Sequence, residues 1–351
     1  MTERLPTLLR FRELILDRPE GGTRLRDWLG RPGGARAAET VEFSSDPYRS
    51  LKVAEGPLAD AAWPELIERF GPELAGRRML ELKEAGLALE VKFLAADATA
   101  GGVRMLTPAA EDPPTPVAEG LTVLDSAPSA ALYLGRRRNL PAEQFVACLR
   151  QDPSPDLLQE HPAETGTSLL LPAGFPWAPG RGVIAHSAAV RRVDKGTLEG
   201  RLIAGARGPA AESLRTPILY SRLVAKSLGW LDGPNAITWL YSAGWLSTLR
   251  LDLRQSWSAG RAAGESPAIV TGLDGRALVF AGGEMESVGP GVTVLIAASA
   301  GTVRLHPEAG GASLLLTWLL DPDTERDVTL TGRGLSRREI DGLKGVFGKE
   351  A

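Results

Sequence analysis

The stretch SLLLPAGFPWAPGRGVIAHSAAV, residues 168–190, decides how the chain folds. An apolar run from Leu169 to Leu171 enters a tight turn at Pro172-Ala173-Gly174, and a second apolar run starts at Val183 after a glycine-rich reversal. Because proline fixes φ and glycine accepts positive φ, this order predicts a sharp corner between two β-strands. Such corners are typical of antiparallel sheets that fold back on themselves as jelly rolls.

The rest of the chain repeats the β pattern on both sides of one helical insertion. Short apolar runs are separated by Gly, Pro or Asp, whereas residues 210–228 have apolar side chains near helical spacing. We therefore predict a mainly β protein with two jelly-roll barrels and a helical insertion. The predicted division is an N-terminal barrel domain over 1–195, a helical connector over 196–235, a C-terminal β domain over 236–330, and a terminal tail or helix over 331–351.

Composition excludes several classes of protein. The 351 residues include 40 Lys and Arg against 43 Asp and Glu, for a net charge of −3, so the sequence indicates no nucleic-acid partner. The charged N-terminus does not resemble a signal peptide, and no apolar run reaches the roughly 18 residues that span a bilayer. We expect no membrane association, a cytoplasmic location, and a monomer or homodimer. The single cysteine, Cys148, excludes an internal disulfide and lies in an apolar helical pattern typical of an inert thiol.

Three pieces of sequence together resemble one family. They are the PAG corner at 172–174, VKFLAAD at 91–97 and APSAALYLG at 127–135. In that combination the chain resembles type I mannose-6-phosphate isomerases, which belong to the cupin superfamily. The resemblance extends over about residues 8–195, and over 240–320 in architecture only. It implies that both predicted barrels are cupin-like.

The resemblance also implies a metal site, which this chain matches poorly. The family interconverts mannose 6-phosphate and fructose 6-phosphate with a divalent metal, usually zinc, held by a Gln-x-His pair, a Glu and a His after the PAG corner. The corresponding positions are Val103 and Met105, Glu119, and Trp177. Neither Val103 nor Met105 is a plausible zinc ligand, and the indole of Trp177 has no lone pair to give a metal. We therefore expect a degenerate site without metal ligands and no cofactor, with zinc only if the protein is an active isomerase.

Four residues are candidates for the pocket. As catalytic residues, the resemblance implies Glu119 and also Arg191, the counterpart of a family arginine. Trp177 and His186 are candidate ligand-binding residues, because both flank the corner that carries the family's site. Three of them have a plainer alternative: Glu119 as a surface carboxylate, Trp177 as a packing residue that fills the metal's volume, and His186 as a solvent-exposed or hydrogen-bonded structural histidine.

The function that best fits these observations is binding. We predict a mannose-6-phosphate isomerase-like bicupin that has lost metal-dependent aldose–ketose isomerisation, a pseudoenzyme of carbohydrate metabolism that binds a sugar or sugar phosphate as a non-catalytic or regulatory module. Two alternatives remain: an active sugar-phosphate isomerase with a rearranged site, and a structural bicupin that binds a protein partner. The series Trp230, Trp239, Trp245 and Trp257 is interpreted as core or inter-domain packing.

Overall fold

The structure of the protein is a computed structural model, and it describes residues 4–31, 36–108, 113–193, 218–260 and 263–347. Strands dominate these residues, and the named strands all pair antiparallel within three sheets. The predicted mainly β fold, with cupin-like sheets, is confirmed. No helix of the described residues has both the length and the apolar character required to cross a bilayer.

The first half of the chain forms two facing sheets. The six-stranded sheet has the order β2-β3-β4-β10-β5-β8, and the three-stranded sheet has the order β7-β6-β9. Their strands are β2 (Leu14–Gly22), β3 (Ala37–Ser44), β4 (Leu87–Ala96), β5 (Ala118–Ser126), β6 (Ala131–Arg136), β7 (Leu158–Pro162), β8 (Ser168–Pro172), β9 (Trp177–Pro179) and β10 (Val183–Arg192). The predicted corner joins β8 to β9 and β10. Apolar side chains from both sheets, including Leu94, Leu132 and Leu169, form one core between them.

The second half builds one nine-stranded sheet that wraps around its own core. Its path is β1-β17-β15-β18-β13-β12-β11, with β14 paired to β18 and β16 paired to β15. These strands are β1 (Leu8–Arg10), β11 (Leu228–Asp232), β12 (Asn235–Ala243), β13 (Leu246–Leu253), β14 (Trp257–Ala259), β15 (Ala268–Ala281), β16 (Glu284–Val288), β17 (Thr293–Ile296) and β18 (Val303–Leu319). Register shifts at Gly272/Asp274 and Gly275/Ala277 interrupt the long β15–β18 pair. Such irregularities bend strands and let a sheet curl into a barrel.

Among the residues that the structure describes, α-helices are few and lie outside the barrels. They are α1 (Arg24–Leu29), α2 (Trp63–Glu84), α3 (Ala142–Gln151), α4 (Tyr220–Leu223), α5 (Asp327–Gly332) and α6 (Arg337–Gly342). Non-helical dihedrals at Gly71 and Gly76 divide α2 into shorter pieces, and Pro72 lies inside it.

The structure describes the predicted domain division only in part. The predicted helical connector falls largely on 194–217, outside the described residues, and its described end contains only α4 and strand β11. Strand β1 pairs with β17, with Leu8 opposite Ile296, so the start of the chain joins the C-terminal sheet. The two barrels are therefore linked by the N-terminal strand as well as by the connector.

The two barrels pack back to back through one apolar cluster. Val91 and Val190, on the outer face of the six-stranded sheet, share this cluster with Tyr241 and Leu315 of the nine-stranded sheet. At Gly120 on β5 the approach is so close that an added Cβ would lie 2.0 Å from the ring of Tyr241. Only glycine fits between the two sheets at this point.

Gly120→Ala tests this close approach. Because real Cβ atoms do not tolerate a 2.0 Å contact, the sheets must separate, and we expect the free energy of unfolding to fall by at least about 2 kcal/mol. Denaturant unfolding of Gly229→Ala is the matched control, since a Cβ on that edge-strand glycine meets its nearest atom at 3.6 Å. Equal stabilities of the two variants would contradict the described packing.

Candidate functional site

A cavity of about 240 Å³ opens at one end of the N-terminal barrel, beyond the apolar core. Its lining is dominated by charge: four carboxylates and five basic side chains face it. These are Glu20, Glu39, Glu90 and Glu119, with Arg18, Arg49, Lys92, Arg104 and Arg191. Charged side chains are rarely buried without partners, so this concentration marks the cavity as the candidate functional site.

Strand periodicity explains why the charges converge. Glu90 and Lys92 are two residues apart on β4 and therefore point to the same face of the sheet. On neighbouring strands, Leu94 of that face pairs with Glu39 of β3, and Ala189 of β10 pairs with Glu119 of β5. The barrel interior is thus apolar at one end and ionic at the other.

Lys92 lies among three carboxylates. Its Nζ is 3.6 Å from Glu39, 3.7 Å from Glu90 and 3.8 Å from Glu119. These separations are longer than a direct hydrogen bond, so the ammonium attracts all three carboxylates and is hydrogen-bonded to none of them. The three carboxylates are nearly inaccessible, at 1%, 2% and 3% exposure. A buried charge needs such partners, because removal from water is costly.

Arg104 provides a second buried cation. Its Nη1 donates to Glu39 at 2.6 Å, and its Nη2 lies 3.6 Å from Glu20. Its backbone exchanges two hydrogen bonds with Trp177, at 2.7 and 2.9 Å, which fixes the segment against β9. Val103 and Met105 pack instead in an apolar cluster with Phe145. Arg104, which lies between the two positions that correspond to the Gln-x-His pair, is therefore the residue that contributes a charge.

Arg191 occupies the opposite side of the cavity. Its guanidinium pairs with Asp46, and with Glu90 at 3.1 Å, and its side chain is 8% exposed. Arg49 approaches Glu90 at 3.4 Å and is 32% exposed, while Arg18 contacts Glu39 at 2.9 Å and is 45% exposed. Arg18 and Arg49 therefore form the solvent-facing rim.

The ion pairs keep two carboxylates ionised. Burial opposes ionisation of Glu39, but the positive charges of Arg104, Lys92 and Arg18 outweigh it and hold its pKa well below the usual range. For Glu90, burial is likewise outweighed by nearby cations, chiefly Lys92 and Arg191, and its pKa is also lowered. Both groups are fixed negative charges near neutral pH.

Glu119 and Trp177 meet directly. The indole Nε1–H of Trp177 donates to Glu119 at 3.1 Å, and the hydroxyl of Ser187 donates to the other carboxylate oxygen at 2.5 Å. Trp177 is 1% exposed, and the guanidinium of Arg104 lies 5.8 Å from its ring. Its faces are thus covered by protein, which leaves no ring surface for a sugar to stack on, and the indole serves to orient Glu119.

His186 lies on the other side of the sheet. Ser187 and Arg191 on β10 face the cavity, so His186, one residue from Ser187, points away. Its ring packs edge-on against Phe93 at 5.5 Å, and neither ring nitrogen has a hydrogen-bond partner among the described residues. The structure therefore brings Glu119, Trp177 and Arg191 together and does not bring His186 to them. The expectation that His186 walls the cavity is corrected by this alternation.

Sequence reasoning did not select most of the ionic array. Glu39, Glu90, Lys92 and Arg104 were not among the candidate site residues, although all face the cavity. One signal was available: Glu90 and Lys92 stand two apart in the otherwise apolar run LALEVKFLAA, which places both charges on one strand face. Arg104 offered no such signal, because it lies outside the named strands.

Comparisons with known proteins identify the fold. No family model matches the sequence, and no curated protein matches it. Among solved structures, the mannose 6-phosphate isomerase from Bacillus subtilis has a TM-score of 0.66 at 16% identity, over 89% of this chain and 99% of that one. The apo mannose 6-phosphate isomerase from Salmonella typhimurium has a TM-score of 0.63 at 14% identity, over 90% and 100% of the two chains. At these identities the likeness shows that the fold is shared.

One of these comparisons corrects the expectation of no cofactor. A zinc-bound mannose 6-phosphate isomerase is similar at a TM-score of 0.64 and 14% identity, over 90% of this chain and 100% of that one, so the expectation is wrong for this fold. The residues of this chain that the structure describes include no group of three or more His, Cys, Asp or Glu side chains placed to hold a metal ion. They do not fit the usual zinc donor set.

The burial of His186 predicts a pH-dependent stability. Burial lowers the pKa of its imidazole to about 3 in the folded state, from an ordinary value of 6.5. Below pH 6.5, His186 is therefore protonated in the unfolded chain and neutral in the folded protein. The free energy of unfolding falls as the pH falls through 6.5. Between pH 8 and pH 5 this residue should cost about 2 kcal/mol.

Denaturant unfolding of wild type, His186→Gln and His306→Gln at both pH values measures this effect. We expect His186→Gln to lose about 2 kcal/mol less than wild type between the two pH values. His306→Gln, at an exposed position, should behave as wild type. If His186→Gln and wild type lose the same amount, His186 is not buried in the neutral form.

Proposed function

We propose that the protein binds a sugar phosphate in the N-terminal cavity and acts as a non-catalytic or regulatory module. The observation that supports this most directly is the preorganised array of paired charges around Lys92, which faces a small cavity of about 240 Å³. The similarity of the fold to mannose 6-phosphate isomerases makes a hexose phosphate the leading ligand.

The array matches the hydrogen-bonding needs of a sugar. Each hydroxyl group both donates and accepts, and the cavity alternates acceptors (Glu39, Glu90, Glu119) with donors (Lys92, Arg104). Since Lys92 Nζ is 3.6 Å from Glu39 Oε2 and 3.7 Å from Glu90 Oε1, ligand hydroxyls can compete for those two oxygens without first breaking a short hydrogen bond.

The rim matches the needs of a phosphate. Arg18 and Arg49 are the most exposed cations around the cavity, at 45% and 32%. Guanidinium groups form strong charge-assisted hydrogen bonds to phosphate oxygens. Arg191 is less suited to this role, because Asp46 and Glu90 already occupy its guanidinium. We assign Arg191 to positioning Glu90, and Arg18 and Arg49 to the phosphate.

The fixed charges favour binding over proton transfer. A general base works best when its pKa lies near the working pH. The cations around Glu39 and Glu90 overcome the effect of burial and lower both pKa values, so these groups hold no exchangeable proton near neutral pH. Such groups orient a ligand through hydrogen bonds and do not move its protons.

Calorimetric titration with mannose 6-phosphate and with mannose tests the proposal. We expect saturable binding of the phosphate, and binding of mannose at least about tenfold weaker, because a charge-assisted hydrogen bond contributes more than 1.4 kcal/mol. Arg49→Gln should weaken phosphate binding by about tenfold. Arg12→Gln is the matched control, since that exposed arginine pairs with Asp60 away from the cavity.

An isomerase assay on the same samples, with and without added zinc, separates the alternatives. Binding without conversion to fructose 6-phosphate is the proposed result. Conversion in either condition would establish the isomerase alternative. Absence of binding to wild type would leave the partner-binding bicupin as the better account.

A further inference from the structure

A second and larger cavity, of about 500 Å³, opens in the C-terminal barrel. Its walls come from the nine-stranded sheet, from α2 and from the segment around α5, and they include four tryptophans: Trp230, Trp239, Trp257 and Trp318. The volume is typical of a small-molecule site. This cavity is separate from the charged cavity of the N-terminal barrel and shares no lining residue with it.

The strands place two of these indoles inside the barrel. Trp239 on β12 and Trp318 on β18 belong to the apolar core of the C-terminal domain, at 2% and 8% exposure. Trp230 on β11 and Trp257 on β14 are only partly buried. The sequence predicted that these tryptophans are packing residues. Trp239 does pack in the core, but its ring also lines the cavity.

Several donors in this cavity have no acceptor. The Nε1–H groups of Trp230, Trp239 and Trp318 are buried without a hydrogen-bond partner among the described residues, and so is the Nε–H of Arg78. Buried indole N–H groups normally find a partner, and an unpaired one costs about 1–3 kcal/mol. All four donors belong to residues that line the cavity, and a bound molecule that accepts hydrogen bonds would relieve this cost.

The charged side chains at the cavity also favour a ligand that accepts hydrogen bonds. Glu325 pairs with Arg78, and Glu265 pairs with Arg77 at 2.7 Å and with Arg78 at 3.3 Å, so both carboxylates are engaged. Arg333 instead lies 4.7 Å above the ring of Trp230 and forms no ion pair within the described part of the chain. The cavity thus offers free donors and one uncompensated positive charge.

We propose that this cavity binds an organic anion with a flat apolar ring, such as an aromatic carboxylate. The ring would pack among the tryptophan faces, the anionic group would accept from Arg333, and its oxygens would satisfy the buried indole donors. A cationic ligand would be repelled by Arg333. A neutral ligand would leave the guanidinium of Arg333 without a counter-charge.

Titration calorimetry of the full chain with 2-naphthoate tests this site, with 2-naphthalenemethanol as the uncharged ring of similar size. We expect one saturable site for 2-naphthoate and affinity for the alcohol lower by about tenfold or more. Arg333→Gln should raise the Kd for 2-naphthoate about tenfold, and Trp318→Phe, which removes one N–H donor and keeps an aromatic ring, should raise it severalfold.

Two matched variants control for these changes. Arg304→Gln removes a guanidinium that lies 4.7 Å above Phe280, outside the cavity, and Trp245→Phe alters a tryptophan outside it. Both should keep the Kd within about twofold of wild type. If Trp318→Phe does not fold, Arg333→Gln at its exposed position decides the question.

Three results would overturn the proposal. They are the absence of saturable 2-naphthoate binding, equal affinity for the acid and the alcohol, and an unchanged Kd in Arg333→Gln. In the first case ordered water, and no organic ligand, is what satisfies the indole donors.

Discussion

The N-terminal barrel depends on the pairing of charges that its strands bury. Glu39, Glu90 and Glu119 are almost inaccessible to solvent, and Lys92 and the surrounding arginines hold Glu39 and Glu90 in the ionised form. Removing one member of such an array would leave a buried charge unpaired, which is among the costliest changes a core can undergo. The pairing also links five strands and the 102–106 segment. A ligand would therefore meet groups whose positions are already set, and little ordering would be needed on binding.

The same architecture holds two different interiors. Both halves of the chain form curled antiparallel sheets, and they pack back to back at Gly120 and Tyr241. One interior ends in paired charges, while the other contains tryptophans with unpaired N–H groups. The side chains within each cavity, and not the shared fold, determine what can bind.

Much of the fold could be predicted because its signals are local. The PAG corner and the alternating apolar runs identify strands and turns without knowledge of their partners. The family resemblance led to Glu119 and Trp177, which do contact each other. The site was harder to predict, because successive side chains along a strand point to opposite faces of the sheet. A shift of one position separates Ser187, which binds Glu119, from His186 on the opposite face, and Arg104 from the apolar Val103 and Met105. Ion pairs between residues as distant as Glu39 and Arg104 depend on the tertiary structure alone.

A crystal structure of the protein grown with mannose 6-phosphate is the most direct test of the account. We expect the phosphate between Arg18 and Arg49 and the sugar hydroxyls between Lys92 and the carboxylates of Glu39, Glu90 and Glu119, with the positions of those side chains nearly unchanged. A ligand bound elsewhere on the protein, or one that enters only after the ion pairs around Lys92 have separated, would contradict it.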